Sequence, residues 1–370
     1  NRSVPTEIYY PADAAGDDVP VASPPPGGFR AVSFGHGYSM GWDLYDYIRN
    51  GLVPEGYIVA YPKTEQVLFP DHLDLGLDLA FVLREIRDEG ADPASIFYGS
   101  VGQKSAVMGH SMGGGASFLG AADDPTVSAI ANLAAAETNP SAITAAAGIT
   151  APALIFSGGN DCVTPPADHQ IPMYDALASG CKTRISLDGA SHCQFAEYSW
   201  ACSFGEGGCP DPTISRAEQQ ALVMSFLGPW LDYALKDDPY GWLDFASLLE
   251  STAGIAYEQD CVPTGVDDWL TDGGETGANA LGLSPAFPNP APGGSRVRYT
   301  LAQPARVSAI VYTLSGRVVT KLLDRERPAG SHELLWDGRD DEGHRVGSGV
   351  YCFRVEAGGE TERSAVVVLR

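Results

Sequence analysis

Basic residues are scarce in this chain. Its 370 residues include 23 lysines and arginines against 47 aspartates and glutamates, a formal net charge of -24 at pH 7. Such a surface repels nucleic-acid phosphates and anionic lipid head groups, so no nucleic-acid partner is expected. No apolar run approaches the ~20 residues that cross a bilayer, so no membrane span is expected either. No basic-then-apolar leader precedes Asn1, which runs straight into a strand-like segment; a processed secreted chain would look the same. The cysteines show no paired CxxC spacing, which argues against a structural zinc site.

The seven cysteines, at positions 162, 181, 193, 202, 209, 261 and 352, read instead as disulfides formed in oxidising surroundings. Cys202 and Cys209 close the short loop CSFGEGGC and are the first pair to expect. An odd count leaves a thiol over, and Cys352, in the apolar strand GVYCFRV, is the candidate for a buried one.

The length suits two domains, each with its own core. Up to about Cys261, short apolar runs (FRAVSFGHG, YIVAYP, SAVMGHS, APALIFSGG, KTRISLDG) alternate with amphipathic helical stretches, the pattern of a parallel sheet covered by helices. Beyond the proline-rich SPAFPNPAPGG, period-two segments separated by turn residues replace them, as in a small β-sandwich. The expected division is an α/β domain over 1–262, a linker over 263–283 and an all-β module over 284–370. The acidic turn DGRDDEGH does not fit an EF-hand, because its third position is Arg339 and its sixth is Glu342, so a solvated hairpin turn is expected.

The stretch GHSMGGG at 109–115 carries the chemistry. A serine hydroxyl is a weak nucleophile unless a base takes its proton, a third group orients that base, and donors receive the developing oxyanion. G-x-S-x-G between a strand and a helix is a sharp elbow that exposes the hydroxyl, here that of Ser111. In this architecture the acid and then the histidine follow on later loops. His192, in the small-residue loop ASH after TRISLDG, fits the base; His169 opens a helix behind prolines and fits less well. Asp161 ends ALIFSGGND and fits the acid better than Asp188, which lies in the same segment as the histidine. Oxyanion donors are expected from the N–H of Met112 and, in the loop FGHGYSMGW, from that of Tyr38. His36 and His110 are expected to hold these loops in place. Triad chemistry calls for no metal and no cofactor.

These residues resemble the serine α/β-hydrolases that include bacterial cutinases, polyester (PET) hydrolases and dienelactone-hydrolase-like esterases. The likeness runs through AVMGHSMGGGASFLGAADDPTVSAI, APALIFSGGNDCVTPPADHQIPMYDAL and GASH. It implies an α/β-hydrolase fold, a triad of Ser111, Asp161 and His192, an oxyanion hole of Tyr38 and Met112, and an ester substrate that extends to polymers. The tryptophan that such polyester hydrolases bring after the strand following the elbow is missing, since NLAAAETNPSA stands there. Phe195 and Trp200 in CQFAEYSWACSFGEGGC, together with Tyr38, are the candidate substrate contacts in its place. Both gaps between triad members are short, which leaves no room for a large lid. The C-terminal segment resembles immunoglobulin-like modules related to flagellar hook-capping proteins and type IX secretion sorting domains, implying secretion or attachment to the cell surface. The protein is expected to act as a monomer. An adhesive protein on a hydrolase scaffold, and an acyltransferase or peptidase using the same triad, are the competing readings.

Overall fold

The structure, a computed structural model, describes residues 3–261, 281–284, 286, 288–291, 293–313 and 316–369. Its first half contains eight strands: β1 (Thr6–Tyr9), β2 (Phe29–Gly35), β3 (Tyr57–Pro62), β4 (Val101–His110), β5 (Ala129–Leu133), β6 (Ala153–Gly158), β7 (Cys181–Leu187) and β8 (Ile255–Cys261). They form one sheet in the order β1-β3-β2-β4-β5-β6-β7-β8. The six inner strands run parallel, and antiparallel β1 and β8 close the two edges. Every residue of β3, β5 and β6 is buried. Such strands read as unbroken apolar runs because both of their faces are covered.

Helices α1 (Asp46–Leu52), α2 (His72–Ala91), α3 (Met112–Asp123), α4 (Ala142–Ala146), α5 (Gln170–Ala176), α6 (Trp200–Gly205), α7 (Arg216–Lys236) and α8 (Pro239–Ser251) occupy the connections. Asp71 caps α2 by accepting the Asp74 N–H at 3.0 Å, which satisfies a donor the helix cannot use internally. Phe29, Ile58, Leu79, Leu83, Val107, Phe118 and Ile130, drawn from strands and helices alike, belong to one buried cluster. The expected α/β-hydrolase fold is present.

The C-terminal strands are β9 (Leu281–Leu283), β10 (Ser295–Leu301), β11 (Ala305–Thr313), β12 (Val318–Arg327), β13 (Gly330–Trp336), β14 (Gly349–Ala357) and β15 (Glu360–Val368). They form a three-stranded sheet, β13-β10-β9, and a four-stranded one, β12-β11-β14-β15. Burial alternates strictly along β10. Its inward residues Val297, Tyr299 and Leu301 join Val307, Trp336, Phe353 and Val355 in a core of their own. This is the expected all-β, immunoglobulin-like module. By contacts the chain divides into two compact units, and the segments 221–233 and 238–253 group with the C-terminal strands. Most of the expected linker, 263–283, lies outside the described residues; its last three form β9.

The disulfides correct the sequence expectation. Cys202 does not pair with Cys209; the bonds are Cys162–Cys209, Cys181–Cys261 and Cys193–Cys202. The short loop does not close on itself, because each of its cysteines reaches a different loop beyond the sheet. Cys352 stands outside these bonds and is half-buried rather than buried. In the period-two strand β14, Phe353 and Val355 take the core face, which leaves Cys352 on the other.

Candidate active site

Because the inner strands are parallel, the loops after β2, β4, β6 and β7 open at one edge of the sheet, where ligands bind in open α/β folds. Those four loops carry Tyr38, Ser111, Asp161 and His192. Ser111 sits between β4 and α3 at φ 55° and ψ -118°, a strained backbone region for a residue with a side chain. The flanking glycines permit the bend. A Cβ on Gly109 would lie 2.3 Å from the carbonyl of Gly113, and one on Gly113 would lie 2.2 Å from that of Gly35. The elbow therefore packs backbone on backbone. The Gly113 N–H donates to His36 O at 3.1 Å and the Ser111 N–H to Leu133 O at 3.0 Å, tying the turn to β2 and β5.

Asp161 and His192 meet directly. The Asp161 Oδ2 lies 2.8 Å from His192 Nδ1, and both residues are buried. A carboxylate only accepts, so Nδ1 carries the proton and Nε2 is left bare. The other carboxylate oxygen accepts the N–H groups of Val163 and Thr164, each at 2.9 Å. The Thr164 hydroxyl lies 2.8 Å from Asp161 Oδ2, 3.1 Å from His192 Nδ1 and 3.1 Å from Ala134 O. Ala136 in turn donates its N–H to Ser111 O at 2.8 Å. Ser111 is thus joined to the pair through neighbours, and among the described residues no hydrogen bond engages its Oγ. The competing acid, Asp188, is exposed on a turn, its N–H bonded to Gly254 O.

The loop bearing the histidine is held on several sides. The Gln219 amide clamps Ser191, accepting its N–H at 3.0 Å and donating to its carbonyl at 2.9 Å. Glu206 accepts the Cys193 N–H at 2.9 Å. The His110 Nε2 lies 3.1 Å from His192 O, and the two rings are 4.7 Å apart. A carbonyl only accepts, so His110 carries its proton on Nε2, and its Nδ1 accepts from the Tyr45 hydroxyl at 2.9 Å. Burial, reinforced by His192, pushes the His110 pKa well below the ordinary histidine value. The same Tyr45 oxygen accepts the Gly37 N–H at 2.9 Å. A buried relay therefore runs from the loop of Tyr38 to the backbone of His192. His36, as expected, holds its loop, with ring nitrogens near Gly37 O and Thr64 O. His169 caps the start of α5 and accepts the Glu137 N–H at 2.8 Å.

Met112 is the first residue of α3, at the positive end of the helix dipole. Among the described residues no acceptor takes its N–H or that of Tyr38. The Tyr38 ring is 47% exposed and Trp200 is 75% exposed. Phe195 is not at the rim as expected. It is fully buried, 6.1 Å from the His110 ring, because the short turn after His192 points it inward. Thr164, Gln219 and Tyr45 escaped the sequence reading. Only Thr164 carried a local signal, as the fourth residue of DCVT, where an aspartate folds back on the backbone that follows it.

The sheet order and its covering helices define an α/β-hydrolase fold, with Asp161 and His192 in contact at one edge of the sheet. Residues 5–201 match the PET hydrolase-like family, and the chain belongs to it. Residues 290–360 match the FlgD Ig-like domain. The chain is 38% identical over 88 residues to Cutinase 1 of Thermobifida cellulosilytica, covering 24% of this chain and 32% of that protein. It is equally identical over 88 residues to a cutinase of Thermobifida fusca, 28% of whose length is covered. To the bis(hydroxyethyl) terephthalate hydrolase of Streptomyces coelicolor it is 27% identical over 187 residues, 50% of this chain and 54% of that one. The chain thus spans about a third of the cutinases and about half of the terephthalate-ester hydrolase.

Proposed function

We propose that the protein is a carboxylic-ester hydrolase of the polyester type, working through an acyl-enzyme on Ser111. As Ser111 Oγ bonds to the ester carbon, its proton passes to the bare Nε2 of His192, and Asp161 stabilises the imidazolium through Nδ1–H. The carbonyl oxygen takes up the negative charge and is received by the N–H groups of Tyr38 and Met112. The C–O bond to the alcohol then breaks, and the alcohol leaves with the Nε2 proton. Water gives a proton to the same nitrogen as it attacks the acyl carbon, and Ser111 regains its proton as the acid departs. Thr164 keeps the acid and base in register.

Tyr38 and Trp200 are the rim contacts for substrate, with Phe195 packed behind His110 as support. The 1–262 half is the catalytic domain and 284–370 a module for export or surface attachment. The three disulfides support an extracellular setting, and the protein works as a monomer without an enclosing lid. The observation that carries the reading is the buried contact of Asp161 with His192, in a chain of this family whose Ser111 occupies a strained elbow after β4. The test is labelling by a serine-directed fluorophosphonate together with turnover of p-nitrophenyl acetate. Both should vanish in Ser111→Ala, and labelling that persists in that variant overturns the assignment.

A further inference from the structure

A cavity of about 590 Å³ opens between β1, the second half of α2 and the segment that leads into β4. Its size falls within the range of small-molecule pockets, roughly 300–1,000 Å³. Val82, Ile86 and Phe97, members of the buried cluster of this half, form its floor, and Ile8 and Phe81 pack against them. Ile96, 47% exposed, adds an apolar wall. None of the loops that carry Tyr38, Ser111, Asp161 and His192 lines it. The cavity is therefore separate from the proposed catalytic centre.

Its rim is acidic. Asp18, Glu85 and Glu89 line it, and among the described residues no lysine, arginine or histidine does. Glu85 and Glu89 lie four residues apart on α2, a spacing at which like charges repel and destabilise a helix. The two arginines of α2 are engaged elsewhere: Arg84 donates to Asp124 at 2.5 Å and Arg87 to Thr126 at 3.0 Å. On β1, Glu7 takes the face opposite to Ile8 and holds Lys63 at 3.0 Å. Among the described residues no hydrogen bond or ion pair engages the carboxylates of Asp18, Glu85 and Glu89. The loop bearing Asp18 is fixed in place. The Tyr10 hydroxyl donates to Val19 O at 2.8 Å, its ring meets that of Phe97 edge-on at 5.1 Å, and the Ala22 N–H donates to Pro11 O at 2.9 Å.

An apolar floor below uncompensated negative charge selects its occupant twice over. The floor favours hydrocarbon, while the rim attracts a positive head group and repels an anion. We infer that this cavity binds a small organic cation, an ammonium group on an aryl or alkyl body. The ammonium sits among Asp18, Glu85 and Glu89, and the body rests on Ile86, Ile96 and Phe97. Binding there is independent of ester turnover.

The test is titration calorimetry of the whole chain with 4-phenylbutylammonium, its neutral analogue 4-phenylbutan-1-ol and the anion 4-phenylbutyrate. The ammonium should bind about tenfold more tightly than the alcohol, and the anion more weakly than either. Glu85→Gln/Glu89→Gln, whose fold should persist because it removes a repulsive pair, should weaken ammonium binding about five- to tenfold, the size of one or two solvent-screened charge contacts. Asp175→Asn/Asp188→Asn removes the same charge from exposed residues elsewhere and should leave binding within about twofold. Ile96→Ser should weaken both the ammonium and the alcohol about threefold, as loss of part of the apolar wall implies. Equal affinity for ammonium and alcohol overturns the inference. So do equal losses in the two double variants, which would reduce the effect to net charge. Ammonium binding that disappears once a fluorophosphonate occupies Ser111 would put the amine at the catalytic edge and overturn it too.

Discussion

Replacing Tyr45 by phenylalanine removes a single oxygen atom, and its effect should reach both the histidine and the oxyanion loop. Tyr45 is fully buried, and burial pushes its pKa above the ordinary phenol value, so it remains a neutral hydroxyl at any working pH. That hydroxyl receives Gly37 N–H and gives its proton to His110 Nδ1, each at 2.9 Å. The Phe34 ring, 4.6 Å away, packs on the carbon skeleton that phenylalanine preserves, so no cavity larger than the lost oxygen forms. What remains is one buried donor and one buried acceptor without partners, each costing about 1–3 kcal/mol. The sum, about 2–6 kcal/mol, lowers Tm by roughly 4–24 °C in a domain of this size. Losing its hydroxyl partner also frees His110 from the tautomer that donates to His192 O. The base is then less well placed, and kcat should fall about tenfold, roughly 1.4 kcal/mol of barrier, with KM little changed. Scanning calorimetry and p-nitrophenyl butyrate kinetics measure the two effects. A Tm drop below about 2 °C with unchanged kcat would refute the relay and the accounting of its buried polar groups.

Two of the disulfides begin one residue after Asp161 and His192, whereas Cys181–Cys261 joins β7 to β8. Serine replacement of Cys181 and Cys261 should therefore cost about 2–4 kcal/mol of stability and leave kcat/KM unchanged; replacing Cys193 and Cys202 should lower kcat as well, and identical behaviour of the two pairs would show that neither positions the base. The depressed pKa of His110 makes the unfolded chain bind a proton there that the folded chain refuses. Stability should accordingly fall as pH drops below about 6.5, by up to ~1.4 kcal/mol per pH unit. Urea titrations at several pH values should show this slope flattened in His110→Phe, and equal slopes would contradict the assignment. Gly113→Ala sets a methyl against the Gly35 carbonyl and should abolish soluble expression; a folded variant of near-normal Tm would mean that the elbow is looser than drawn.

The sequence alone was enough for the parts governed by local chemistry. Unbroken apolar runs identified the inner parallel strands, strict alternation identified the C-terminal sheets, and glycines around Ser111 marked an elbow that only residues without a Cβ can build. Its place on a loop separate from the histidine favoured Asp161 over Asp188, and the Asp161 Oδ2 lies 2.8 Å from His192 Nδ1. Tertiary structure decided what depends on distant segments meeting. Cys162 finds Cys209, and Phe195 turns into the interior. Tyr45 bridges the turn at Gly37 to His110, and Gln219 on α7 clamps the residue before His192. None of these pairings has a periodicity or a spacing to betray it. Partners dozens of residues apart are chosen by where the sheet delivers its loops, and that geometry exists only once the whole core has closed.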